Sequence, residues 1–181
     1  MRLFIATDLS EEVKQEIERI KQPFAGIKGV KPVRKENIHV TLKFLGEVYE
    51  DKVDQIKDAL AHITFEPFYM SLNKIGCFPD EKRIRVLWVD AEPAKPLADL
   101  KKKIDAALPN FIDDYKEFNV HLTFARIKYF ASKDDKKKML ELLTNIQVEK
   151  KEFYIDKFKL YQSTLTPEGS IFKVLESYPK A

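Results

Sequence analysis

The strongest constraint on this chain is a pattern it carries twice. NIHVTLKFL at 37–45 and FNVHLTFARI at 118–127 both read as strands, and each contains the run His-apolar-Thr-apolar. Of the three histidines, His39 and His121 are each followed two positions later by a threonine, Thr41 and Thr123. The order of elements repeats as well: strand, helix, strand, helix, strand, then the same series again. A repeat of roughly 80–90 residues predicts two similar lobes, each contributing one His-x-Thr strand. Many connections are too short for helical crossovers, so an α+β fold with antiparallel sheets and flanking helices is expected. The whole chain, 1–181, then forms one bilobal domain.

The elements follow from periodicity and punctuation. Residues 2–9 alternate as a first strand. Ser10 caps a helix with Val13, Ile17 and Ile20 on one face, ending near Pro23. Further helices are expected at 50–63, 93–108 and 133–147, and further strands at 67–76, 84–90, 152–163 and 171–177. Pro167 to Gly169 marks a turn between the last two.

Composition narrows the class. Hydrophobic residues are 44% and charged residues 34%, as in a globular protein. No apolar run approaches the roughly 20 residues that span a bilayer, and the N-terminus reads as a strand rather than a signal peptide. Cys77 is the single cysteine, so no internal disulfide forms and a cytoplasmic monomer is expected. The net charge of +3 is mild, but Lys28, Lys31, Arg34, Lys35 and Lys43 flank His39. That flank favours a polyanionic partner over a neutral one, although such a block is often only a solvated surface. Lys82, Arg83 and Arg85 form a second small cluster.

The motif spacing has a geometric meaning. Alternate residues of a strand share a face. His39 and Thr41 therefore point one way while Ile38, Val40 and Leu42 point into a core. His121 and Thr123 likewise oppose Val120, Leu122 and Phe124. If the lobes pack symmetrically, the two His–Thr pairs face each other across a cleft. Two facing imidazoles suit acid–base chemistry at phosphorus: with ordinary pKa values near 6.5, one is neutral and one protonated near neutrality. Threonine hydroxyls on the same faces can hydrogen-bond phosphoryl oxygens as charge develops. Two histidines can instead be structural or share a metal, but no third ligand at metal spacing is evident. His62 lies near a helix end with no partner motif and reads as structural.

These residues resemble the two-histidine phosphoesterase superfamily, and within it the RNA 2',3'-cyclic phosphodiesterases, also called 2'-5' RNA ligases. The resemblance rests on NIHVTLKFLGEV (37–48), VHLTFAR (120–126) and LYQSTLTPEGSIF (160–172), with RLFIATDL (2–9) and VLWVDA (86–91) in support. It covers nearly the whole chain. It implies two antiparallel sheets around a positively lined central groove with pseudo-two-fold symmetry. It further implies metal-independent opening of a 2',3'-cyclic phosphate end to a 2'-phosphate, with no cofactor. His39 would be proton donor to the leaving 3'-oxygen, His121 proton acceptor from water, and Thr41 and Thr123 the phosphate-binding hydroxyls. Reverse 2'-5' joining of RNA ends, tRNA fragments among them, is the associated activity.

Four more positions stand as substrate-contact candidates. Phe44 can stack on a base, but strict alternation places it with the core residues. Arg126 can pair with phosphate, but alternation places it opposite His121 unless a bulge re-aims it. Tyr161 and Ser163 are groove residues by resemblance alone. The competing readings are the same chemistry on a small nucleotide cyclic phosphate, and an RNA-binding module without turnover.

Overall fold

The computed structural model describes residues 1–111 and 117–180. Nine strands and four helices follow in the order β1 (Arg2–Thr7), α1 (Glu11–Lys21), β2 (Val30–Pro32), β3 (Val40–Glu47), α2 (Glu50–Ala61), β4 (Phe68–Phe78), β5 (Val86–Glu92), α3 (Ala94–Ala107), β6 (Leu122–Ile127), α4 (Lys133–Asn145), β7 (Glu152–Ile155), β8 (Phe158–Thr166) and β9 (Gly169–Tyr178). The described strands make two antiparallel sheets. One runs β3-β1-β8-β9 and the other β2-β6-β5-β4-β7.

The halves of the chain interleave. β1 and β3 lie in the first sheet, but β4 of the same half crosses to the second. β5 and β6 lie in the second sheet, but β8 and β9 return to the first. Helices cross in the same sense: α1 follows β1 yet packs on β6, and α3 follows β5 yet packs on β3. Each sheet therefore depends on both repeats, and the main cluster of buried residues draws on both halves, with a small second cluster of Phe4, Ala6 and Tyr161 beside it.

Side-chain patterning explains the elements. Ser10 accepts a hydrogen bond from the Val13 amide at 3.4 Å, and Glu11 and Glu12 occupy the positive first turn of α1. Val13, Ile17 and Ile20 are fully buried beneath it. Phe24 and Phe124 meet with ring centroids 5.5 Å apart, and Phe158 stacks on Tyr178 at 5.1 Å. Burying each such ring contributes on the order of 2–3 kcal/mol. Glu16, also buried, accepts twice from Arg19 at 2.8 and 2.6 Å and once from the Glu149 amide at 2.9 Å, tying α1 to the chain after α4.

Sequence expectations differ from the structure at three places that position the site. Both motif strands begin later than expected, at Val40 and Leu122, so each histidine stands at a strand's entry rather than within it. The reason for the first is a 3-10 turn over Lys35–Asn37 that bends the lead-in. β2 was not expected: it is three residues long and one is a proline, too short a run to show a pattern, and it is a strand by its pairing with β6. The third difference is a bulge in each motif strand, described next.

Candidate active site

The two motif strands share one bulge. In β3, Ala6 pairs with Thr41 and Ile5 with Lys43, leaving Leu42 as an extra residue. In β6, Trp88 pairs with Thr123 and Leu87 with Ala125, leaving Phe124 as the extra residue. An extra residue shifts the alternation by one. From each histidine onward the exposure therefore runs identically: the residues at +1, +3, +4 and +6 are buried, whereas those at 0, +2 and +5 reach solvent. Position +5 is Phe44 in the first motif and Arg126 in the second. Strict alternation put both on the wrong face. Phe44 is 47% exposed, beside Phe4 on the His39 side. Arg126 stands on the His121 side, and its positive charge disfavours the imidazolium there.

A second shared feature went unread in the sequence. His39 Nδ1 lies 2.7 Å from the Asn37 carbonyl oxygen, and His121 Nδ1 lies 2.7 Å from that of Asn119. A carbonyl only accepts, so Nδ1–H donates and the neutral ring is held in one tautomer with Nε2 free of its proton. Both acceptors are main-chain carbonyls, which any residue supplies, so no residue type in the sequence announces the contact. His39 Nε2 lies 2.9 Å from Thr41 Oγ1, which donates to it in the neutral state.

The two imidazoles have different surroundings. His39 sits in an aromatic box, 5.0 Å from Phe4, 5.4 Å from Phe172 and 6.3 Å from Tyr161 between ring centroids. Tyr161 stacks on Phe4 at 5.1 Å and donates its hydroxyl to Asp8, which also takes a hydrogen bond from Lys159. Tyr161 thus lines the aromatic surroundings of His39 through its ring. Ser163 lies two residues on along the same face, opposite Arg2 and Phe172. His121 meets the edge of Phe78 at 5.1 Å, and Phe78 in turn packs on Trp88 at 5.1 Å. Gly76 lets the indole lie flat: a Cβ there would fall 2.3 Å from it.

Burial depresses His39 from 6.5 to about 4, against the opposing pull of the Asn37 carbonyl and the Asp8 carboxylate. Lys14 and His121 add to the depression, so the two imidazoles lie within electrostatic reach of each other. His121 is also lowered, again first by burial. Both are neutral in the free protein at pH 7. Unfolded histidine binds its proton near 6.5, and folded His39 only near 4, so stability falls as pH falls across that window. Asp8, Glu16 and Asp105 are lowered carboxyls, whose contributions are lost only below their ordinary range. The urea midpoint should therefore drop between pH 7 and pH 5, and His39→Gln should shrink that drop. An equal drop in His39→Gln would assign the effect elsewhere.

The five cations flanking His39 in sequence separate in space. Lys43, at the bulge, turns inward and pairs with Asp105 at 2.6 Å while 3% exposed. Lys35 pairs with Glu11, and Arg34 donates to the Glu168 carbonyl at 3.3 Å. Lys28 and Lys31 are exposed. Among the described residues no three His, Cys, Asp or Glu side chains come together as a metal-ligand set, and no helix is long and apolar enough to cross a membrane.

Known proteins resemble this chain over its whole length. The family model for LigT like phosphoesterases matches residues 8–88 and again 89–172. An RNA 2',3'-cyclic phosphodiesterase of Methanocaldococcus jannaschii is 39% identical, covering 98% of this chain and 100% of its own. Another of that name, from Archaeoglobus fulgidus, is 34% identical over 98% and 99%. A crystal structure of a Thermus thermophilus protein superposes with a TM-score of 0.82 at 28% identity, over 98% of this chain and 96% of that one.

Proposed function

The chain belongs to the LigT-like phosphoesterase family, and on that premise we propose that it hydrolyses the 2',3'-cyclic phosphate ends of RNA to 2'-phosphates. The observation that carries this reading is the matched pair of imidazoles, each fixed at Nδ1 by an asparagine carbonyl and each followed on its face by a threonine hydroxyl. An in-line displacement at phosphorus requires one base with an unprotonated ring nitrogen and one acid with a protonated one, and Nε2 is the ring nitrogen left for that work on each histidine.

In the proposed reaction His121 takes a proton from water, which attacks the phosphorus. His39 gives a proton to the 3'-oxygen as its bond to phosphorus breaks. Thr41 and Thr123 donate to the non-bridging oxygens. A donor must first be protonated, and His39 is neutral in the free protein. The anionic phosphodiester supplies the missing bias, because a negative charge against the ring favours the imidazolium. Thr41 Oγ1, released from Nε2, can then turn to the phosphate. Arg126 adds fixed positive charge on the His121 side, and Phe44 offers an exposed ring for a base. Imidazoles, hydroxyls and guanidinium together supply acid, base and charge stabilisation, so this scheme needs no metal. With a 5'-hydroxyl in place of water as the nucleophile, the same groups join it to a cyclic-phosphate end through a 2'-5' bond, the 3'-oxygen again leaving with a proton from His39.

The test is hydrolysis of a short RNA ending in a 2',3'-cyclic phosphate, with excess chelator, the product resolved as 2'- or 3'-phosphate. Formation of 2'-phosphate is the expected result. A 3'-phosphate product would exchange the roles of the two ester oxygens. No turnover of the RNA, with turnover of a nucleoside 2',3'-cyclic phosphate, would move the assignment to small substrates.

A further inference from the structure

The fold is pseudo-symmetric, but the position that each bulge aims at the site is not. On the first sheet, Phe44 opposes Phe4, Phe4 opposes Tyr161, and Tyr161 opposes Val174, so an apolar row crosses all four strands beside His39. On the second sheet, Arg126 opposes Val86 on one side and Lys31 of β2 on the other. Directly opposed residues in an antiparallel pair share a face. Val30, next to Lys31, packs against the core, so Lys31 points outward with Arg126. His121 and Thr123, then Arg126, then Lys31 thus form a line from the candidate reaction centre to the sheet's edge.

Two cations directly opposed across a strand pair repel each other and cost stability. Neither Lys31 nor Arg126 has a side-chain hydrogen bond or ion pair among the described residues, and both are exposed. Yet β2 is built to hold Lys31 there. The Lys128 amide donates to the Gly29 carbonyl at 2.8 Å, and the Val33 amide donates to the Phe124 carbonyl at 2.8 Å, at the bulge itself. Gly29, at φ +86°, lets Tyr129 press against its Cα, where any Cβ would fall 2.0 Å from the Tyr129 carbonyl oxygen. A short strand clamped at both ends, presenting one unpaired cation beside another, is a site for two neighbouring negative charges.

We propose that Lys31 binds the phosphodiester adjacent to the reacting cyclic phosphate, with Arg126 between them, so that an RNA strand is preferred over a mononucleotide. This rests on the reading of the site given above. The aromatic wall takes bases and the cationic wall takes phosphates, which fixes the polarity of the bound strand.

The experiment compares cytidine 2',3'-cyclic phosphate with a hexanucleotide ending in the same group, using the full chain and its Lys31→Gln and Lys31→Glu variants. Wild type should prefer the hexanucleotide in kcat/KM by about tenfold or more, as one well-placed charged contact allows. Lys31→Gln should remove most of that preference while leaving the mononucleotide within about twofold. Anisotropy binding of a hexanucleotide carrying a 2'-phosphate should show a salt slope reduced by about 0.7, one phosphate contact on a single strand. Lys31→Glu, now facing Arg126, should melt at or above the wild-type temperature. Equal losses on both substrates, an unchanged salt slope, or a lower melting temperature for Lys31→Glu would each overturn the proposal. If wild type turned over neither substrate, the hydrolytic reading would fall, while the binding slope would still decide the role of Lys31.

Discussion

His39→Ala and His121→Ala should each lower single-turnover hydrolysis of an RNA cyclic phosphate by about a thousandfold, within the roughly 10²–10⁴ that a positioned acid or base supplies. The double variant should lose little more than either single one, because acid and base act on one transition state. The variants differ in cost to the fold. His39 packs among Phe4, Phe172 and Tyr161, so removing the ring opens a cavity in the aromatic box. His121, among the described aromatic rings near it, meets the edge of Phe78. His39→Gln keeps part of the volume and should be equally inactive while melting closer to wild type. The roles separate by changing the leaving atom. A cyclic phosphorothiolate with sulfur at the 3' position leaves without needing a proton. It should restore much of the rate to His39→Ala and none to His121→Ala. Rescue of the wrong variant would interchange donor and acceptor, and rescue of neither would mean that His39 serves the fold rather than the proton.

What the sequence disclosed and what it withheld follow from range. The helices and the two motifs were legible because amphipathic period and His-x-Thr spacing are local. The faces of Ile38, Val40 and Leu42 were legible for the same reason, and all three are buried. Phe44 and Arg126 were misplaced because alternation counts residues and cannot register one that a partner strand leaves unpaired. Lys43 read as part of a basic flank, whereas the bulge turns it inward to Asp105, 62 residues away in sequence. Tyr161 came to the site only by resemblance, since its hydroxyl's partner, Asp8, lies 153 residues off. β2 and the exchange of strands between sheets rest on pairing alone, and pairing leaves no periodic trace in so short a segment.

Thr41→Val and Thr123→Val should each lower kcat by about a hundredfold, the scale found when one donor to a developing oxyanion is removed. KM should move much less, because the hydroxyls strengthen their bonds as charge builds on phosphorus rather than in the ground state. Valine keeps the branched shape, so the strands should persist and melting should change little. Thr→Ser keeps the hydroxyl and should recover most of the rate at either site. The two positions are not equivalent in the free protein: Thr41 Oγ1 lies 2.9 Å from His39 Nε2. Thr41→Val therefore also strips the resting imidazole of its donor, and the acidic limb of the kcat/KM profile should move with it. In Thr123→Val the limb should stay in place while the rate falls. If both valine variants kept kcat within about threefold of wild type, the hydroxyls would not touch the phosphate, and charge stabilisation would pass to Arg126 and the imidazolium. If Thr41→Val alone were slow, and its limb moved, Thr41 would act by setting the protonation of His39. Equal losses with only one shifted limb are what the symmetric chemistry and the asymmetric surroundings require together.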